Sequence, residues 1–342
     1  MTPLFGHDSA VAAFRAALDS GRLHHAWLIA GPPGIGKATF ADKAALRVLA
    51  QGMGPLGTPG FDVPDDHPAA KLFASRTHPD FRLLKREVWA GTAPNEYIVP
   101  EHERSGSEPV ARGIRIKQVR MLAPMLATSS SLAGRRAIVV DAADDLEKPA
   151  SNALLKMLEE PPASTIFLLV SRSPDRLLPT IRSRCRILRL NPLKSDAMAS
   201  ALRAALPDAE EGEIMELVRA GEGAPGRAIA WRGLDMAGLD REIAALVEKG
   251  DPTNARRAAL AQSLALKSAQ PRYEAFLARA PAKIAEAARS RSGPALAEAL
   301  ALWERATGLA TAAHGLSLDA HSTAFELAGL LAALAGEGRR AA

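Results

Sequence analysis

The chain has one cysteine, Cys185, which excludes an internal disulfide and any multi-cysteine metal site. Aromatic residues are scarce, at 4% of 342. No apolar run approaches the roughly 18 residues that a membrane-spanning helix needs. The opening Met-Thr-Pro-Leu-Phe-Gly-His-Asp lacks the basic and apolar regions of a signal peptide. These absences predict a cytoplasmic protein with no membrane contact. What is abundant is Ala and Leu, which favour helix. The length suggests two or three domains. A net charge of +5 is compatible with nucleic-acid contact and equally with a solvated, arginine-rich surface.

The most informative stretch is Gly31-Pro-Pro-Gly-Ile-Gly-Lys37-Ala38-Thr39. It follows an apolar run, Ala26–Ala30, that reads as a buried strand, and precedes a helix-forming run from Ala38 to Ala50. Strand, glycine-rich turn, lysine, helix is the context of a phosphate-binding loop. Gly31, Gly34 and Gly36, with Ile35 between, let main-chain N–H groups surround an anion, and Lys37 supplies a point charge. The usual pattern continues with a hydroxyl residue that ligates Mg²⁺, where this chain has Ala38. Thr39 is one residue late, about 100° further round the helix.

Further strands are expected at Phe81–Leu84, Ala137–Asp141, Thr165–Val170 and Ile187–Leu190. Alternation with helices makes residues 1–190 a parallel α/β sheet. An amphipathic helix is expected within 4–25. Residues 51–79, rich in Gly and Pro, read as a long excursion, and residues 85–112 as polar and irregular. A single helix is expected over 113–132, with Ile116, Val119, Leu122 and Leu126 on one face. Arg112, Arg115, Lys117 and Arg120 decorate it, more in the manner of a solvated face than of a DNA-tracking one. Asp141, an acid ending a buried strand, suits a position facing Mg²⁺ beside the loop. The next residue is Ala142, where ATPases of the AAA+ type carry a glutamate that polarises water. Asp144 and Asp145 follow at a spacing unsuited to that task. Ser171, ending the next strand, can sense a γ-phosphate or merely begin a turn. After Pro192 strands cease. Residues 193–235 read as small helices and 237–342 as about five longer ones. Apolar stripes at Leu296, Leu300 and Trp303, and at Leu327, Leu330, Leu331 and Leu334, fit a bundle core.

Three blocks resemble bacterial sliding-clamp loaders: Gly21–Lys37, Asn152-Ala-Leu-Leu-Lys-Met-Leu-Glu-Glu-Pro-Pro162 and Thr180-Ile-Arg-Ser-Arg-Cys185. The resemblance covers about residues 4–230. It implies an AAA+ P-loop core over 1–192, a small helical lid over 193–236 and an all-α collar over 237–342. It implies a subunit of the DNA polymerase III clamp loader, in a hetero-pentamer with motor subunits and a delta-type subunit. Through that complex it would act on the sliding clamp and primer-template DNA. Arg184 matches the family's Ser-Arg-Cys arginine, which enters the ATP site of a neighbouring subunit. Arg227 matches a lid arginine that faces the nucleotide. The family often carries a four-cysteine zinc module after the loop helix; residues 51–79 have no cysteine, so zinc is not expected.

Ala38 and Ala142 stand where motor subunits carry catalytic groups. The expected protein is therefore a scaffold with little or no ATPase of its own and no polymerase site. ATP and Mg²⁺ binding stays open. The alternatives are an active motor subunit of the same loader, favoured by Lys37, Asp141 and Arg227, and a free-standing phosphate-loop kinase or helicase, supported only by residues 31–39.

Overall fold

A computed structural model describes residues 3–86, 111, 113–316 and 318–338. They form two compact units that divide after Arg227. The first holds a five-stranded parallel sheet: β1 (Ala26–Ala30), β2 (Phe81–Lys85), β3 (Arg136–Asp141), β4 (Thr165–Ser171) and β5 (Arg186–Arg189), in the order β2-β3-β4-β1-β5.

The three inner strands, β1, β3 and β4, read as near-continuous apolar runs because both sheet faces are covered there, while the edge strands β2 and β5 carry exposed arginines. Side chains alternate between the faces. Trp27, Ile29, Val139 and Leu168 pack with α1 (Asp8–Asp19) and α2 (Lys37–Gly52). Leu28, Ile138, Val140 and Phe167 pack on the other face, with α4 (Ile116–Arg120) and α6 (Lys148–Glu159).

The structure departs from expectation in three places. The excursion after α2 contains a helix, α3 (Pro68–Ala74), whose first turn is capped by His67, the Nδ1 of which accepts from the Ala69 N–H at 3.1 Å. Its organiser is Arg47, fully buried in α2, which donates to Thr58 Oγ1 (2.6 Å) and to the Asp62 and Leu56 carbonyls (2.7 and 3.2 Å). A buried guanidinium needs such acceptors, and the loop folds over it to supply them. Second, the helix expected over 113–132 is two short ones, α4 and α5 (Leu122–Ala127). Pro124 has no N–H to bond the Arg120 carbonyl one turn back. The polar stretch read over 85–112 lies almost wholly outside the described residues, as does Arg112.

The third difference concerns the second unit. It is helical: α11 (Met236–Lys249), α12 (Ala255–Leu264), α13 (Gln270–Arg289), α14 (Gly293–Leu316) and α15 (Ala320–Gly338). Leu327, Leu330, Leu331 and Leu334 of α15 are core, packed towards the other four helices. On α14 the buried line is Ala299, Leu302, Ala306 and Ala313, while Leu300 and Trp303 are 45% and 38% exposed. Three of these four inward residues are alanines, and the bulkier stripe lies outside them. Before these come α7 (Pro179–Arg182), α8 (Ser195–Ala205), α9 (Glu211–Gly221) and α10 (Pro225–Ala230).

Candidate functional site

The loop between β1 and α2 is held from several sides. Gly34 and Gly36 have φ of +77° and +99°, a region that only glycine enters at low cost. The Gly34 carbonyl accepts from the Gly226 N–H at 2.8 Å, and His7 Nε2 lies 2.9 Å from the Ile35 carbonyl. Lys37 begins α2 with its side chain almost fully buried, and its Nζ donates to the carbonyls of Gly31 (2.7 Å) and Pro32 (2.6 Å). Burial pulls its pKa down to about 8, against the opposing pull of the Asp144 and Asp141 carboxylates. A buried ammonium whose bonded partners among the described residues are two neutral carbonyls is poised for an anion.

The carboxyl ends of β1, β3 and β4 meet at this loop, which is where open parallel sheets take ligands. Ala30 stands in register with Ser171, and Val170 with Asp141. Asp141 is half-buried, and burial followed by the nearby Asp42 charge raises its pKa, with Lys37 opposing. The structure thus brings Lys37, Asp141 and Ser171 together. It also brings in Asp144, which lies on a short 3₁₀ turn after β3. Asp144 accepts from Ser171 Oγ (3.1 Å) and from the Arg172 and Ser173 N–H groups (2.8 and 3.0 Å). Asp145 pairs with Arg172 and, at 3.4 Å, with Arg86. With both oxygens engaged, Asp144 is a clamp on the end of β4 rather than a base for water. Nothing in the sequence marks it, because its partners lie 27 to 29 residues away. Asp144→Ala should lower the stability of the first unit by about 1–3 kcal/mol, the cost of leaving main-chain donors unpaired. Urea denaturation measures it.

Arg227 arrives by its backbone. Its N–H belongs to the start of α10, which lies so close to the loop that a Cβ on Gly34 would stand 2.5 Å from the Arg227 nitrogen. The guanidinium pairs with Glu222 at 3.1 Å.

Arg184 is elsewhere. It precedes β5, and β5 runs parallel to β1 with Arg186 beside Trp27. Arg184 therefore lies at the amino edge of the sheet, while the loop lies past the carboxyl edge, roughly 20 Å along the strand direction at about 3.3 Å per residue. Its side chain is about one-third exposed.

Chemically, the loop fits phosphate groups: glycine backbone, a helix start and a buried lysine converge on one place. A metal fits less well. Asp141 is a suitable ligand, but the residue after Lys37 is Ala38, which has no oxygen to offer, and Ala142 has no group to deprotonate water. His67 and His78, the histidines of the excursion, serve as turn and cap acceptors, His78 Nδ1 taking the Asp80 N–H at 3.2 Å.

A phosphate loop on the central part of a five-stranded parallel sheet in this order, followed by helices, is an AAA+ P-loop core. The chain belongs to the family described as DNA polymerase III, delta subunit, whose model matches residues 6–194. It is 36% identical over 202 residues to the DNA polymerase III subunit delta' of Pseudomonas aeruginosa, covering 59% of this chain and 53% of that one. It is 31% identical over 215 residues to the delta' subunit of Escherichia coli, covering 63% and 56%. The matched stretch spans about half the length of these relatives. A solved gamma-subunit-related protein from Thermotoga maritima overlays 95% of this chain and 99% of its own, at 14% identity and a TM-score of 0.41. Among the described residues, no helix is long and apolar enough to cross a membrane.

Proposed function

We propose that the chain is a non-hydrolysing subunit of a DNA polymerase III clamp loader that lends Arg184 to the ATP site of a neighbouring subunit. The observation that carries this reading is the placement of Arg184. It sits at the opposite edge of the sheet from the chain's own phosphate loop, so its guanidinium serves a second molecule or none. Phosphoryl transfer spreads negative charge over the γ-phosphate oxygens, and an arginine supplied from outside stabilises it. Ala38 and Ala142 support the other half of the reading, since they stand where a loop hydroxyl would join Asp141 in holding Mg²⁺ and where a glutamate would activate water.

In this account residues 193–236 form a lid and residues 237–342 a collar that joins motor subunits and a delta-type subunit in a hetero-pentamer. The complex works in the cytoplasm on the sliding clamp and primer-template DNA. The chain alone should hydrolyse no ATP above background, yet should co-elute with a clamp-loader motor subunit on size exclusion. Turnover by the purified chain at a motor subunit's rate would contradict this.

The loop is assigned a binding role: it takes the phosphates of a nucleotide without cleaving them. Lys37 sets the pH dependence. Below about 8 its amine is charged and ready; above that, binding must draw a proton from solvent. Affinity for ATP should therefore fall as pH rises through 8, approaching about tenfold per unit, with net proton uptake. Lys37→Ala should bind weakly and lose this dependence between pH 7 and 9. Calorimetry in two buffers of different ionisation enthalpy reads both quantities.

A further inference from the structure

At the amino edge of the sheet, far from the phosphate loop, a second set of groups converges. His25, just before β1, places its Nε2 3.1 Å from the Leu158 carbonyl in the last turn of α6. The His25 carbonyl accepts from the Phe167 N–H of β4 at 2.7 Å. One of the carbonyls that a helix end leaves without a partner is thereby tied to the sheet. Leu154 and Leu158 are fully buried, so this end of α6 has little freedom to move. The next residue is Glu159. Its Oε1 lies 2.7 Å from Arg184 Nη2, while Arg184 Nη1 donates to the Thr180 carbonyl at 3.0 Å.

Two acceptors on two rigid elements fix the plane of the guanidinium. An arginine has five N–H donors. Among the described residues two are used, and the others are left for a ligand. The ion pair is partly exposed, 35% for Arg184 and 41% for Glu159, so it contributes little to stability. Its effect is on orientation. A long side chain that must be ordered before it can act loses rate; one already ordered does not.

We propose that Glu159 is a positioning residue for Arg184: with Thr180 it holds the guanidinium in one orientation, its free donors presented to the triphosphate of the adjoining subunit, and His25 steadies the helix end that carries Glu159. This rests on the reading that Arg184 acts in a neighbour's site. It goes beyond that reading by assigning a role to the carboxylate paired with Arg184. Neither the sequence spacing nor the residue type indicates the pair, since Glu159 and Arg184 are 25 positions apart.

The test is a double-mutant cycle in the reconstituted loader, with full-length chain and motor subunits. Clamp- and DNA-stimulated ATPase is measured for Glu159→Ala, Glu159→Gln, Arg184→Ala and the double variant. Glu159→Ala should lower kcat about 10- to 100-fold with KM for ATP little changed. Glu159→Gln keeps an acceptor oxygen in place and should recover most of the rate. The double variant should be no slower than Arg184→Ala alone, because Glu159 works only through Arg184. If Arg184→Ala is impaired but Glu159→Ala turns over at the wild-type rate or faster, the positioning role is wrong and the action in trans stands. The same holds if Glu159→Ala costs an equal factor in the Arg184→Ala background. If Arg184→Ala itself matches wild type, the reading beneath the inference is overturned.

Discussion

Replacing Arg184 by Ala should lower the ATP turnover of the assembled loader by about 10³-fold or more, the range found when an arginine finger is removed. That factor corresponds to about 4 kcal/mol of transition-state stabilisation. The same change should leave this chain's own fold almost untouched. Arg184 gives up one partly exposed ion pair with Glu159 and one bond to the Thr180 carbonyl. Such a surface pair contributes about 0–1 kcal/mol. Large kinetic loss with an unchanged melting profile distinguishes a group that acts on a neighbour from one that supports its own domain. Arg184→Lys should not restore the rate, because an ammonium cannot reproduce the planar, forked donors of a guanidinium. Steady-state ATPase of the assembly, set beside a thermal melt of the isolated chain, reads both halves.

Gly34→Ala should be the most damaging single-atom addition in the loop. Gly34 has φ +77°, and a Cβ there would lie 2.5 Å from the Arg227 nitrogen and 3.2 Å from the Gly226 carbonyl carbon. Both obstacles are backbone, so no side chain can rotate away. The positive φ costs a non-glycine residue about 1–2 kcal/mol. Forcing the start of α10 off the loop adds about 1–3 kcal/mol of overpacking. The bond from the Gly226 N–H to the Gly34 carbonyl is lost with it. We expect the first unit to lose about 2–5 kcal/mol in urea denaturation, and ATP affinity to fall with it. Gly57→Ala, where no atom lies within 4 Å of the added Cβ, is the matched control and should change little.

The parts of the fold legible in the sequence are those whose signal is local. Each of the five strands is a short run bounded by turns, three of them strongly apolar, and each lies within a residue or two of where the sequence places it. The phosphate loop was legible for the same reason, since strand, glycines and lysine are contiguous. Contacts across long separations left no such trace. α3 was missed because a buried arginine in another helix, Arg47, orders the segment before it. The inward line of α14 is mostly alanine, so the larger Leu300 and Trp303 mark the wrong face in a reading by hydrophobicity. At the site, Lys37, Asp141 and Ser171 lie together because parallel strands deliver their carboxyl ends to one edge. The spacing of Asp144 does not suit a base for water, and the clamp it forms on the end of β4 rests on bonds that a linear reading has no means to see. The resemblance implies an Arg227 that faces the nucleotide; its backbone N–H lies beside the loop, and its guanidinium pairs with Glu222.

The central claim is that this chain serves a neighbour's site and not its own. It is tested most directly by two loaders that differ only in this subunit, one carrying Lys37→Ala and the other Arg184→Ala, with clamp- and DNA-stimulated ATP hydrolysis measured in each. Lys37→Ala removes the cation of the chain's own loop; Arg184→Ala removes the one at the far edge of the sheet. The account predicts near-wild-type turnover for the first and a loss of about 10³-fold or more for the second. The reverse pattern, with turnover lost on changing Lys37 and kept on changing Arg184, would contradict it and make the chain a motor in its own right.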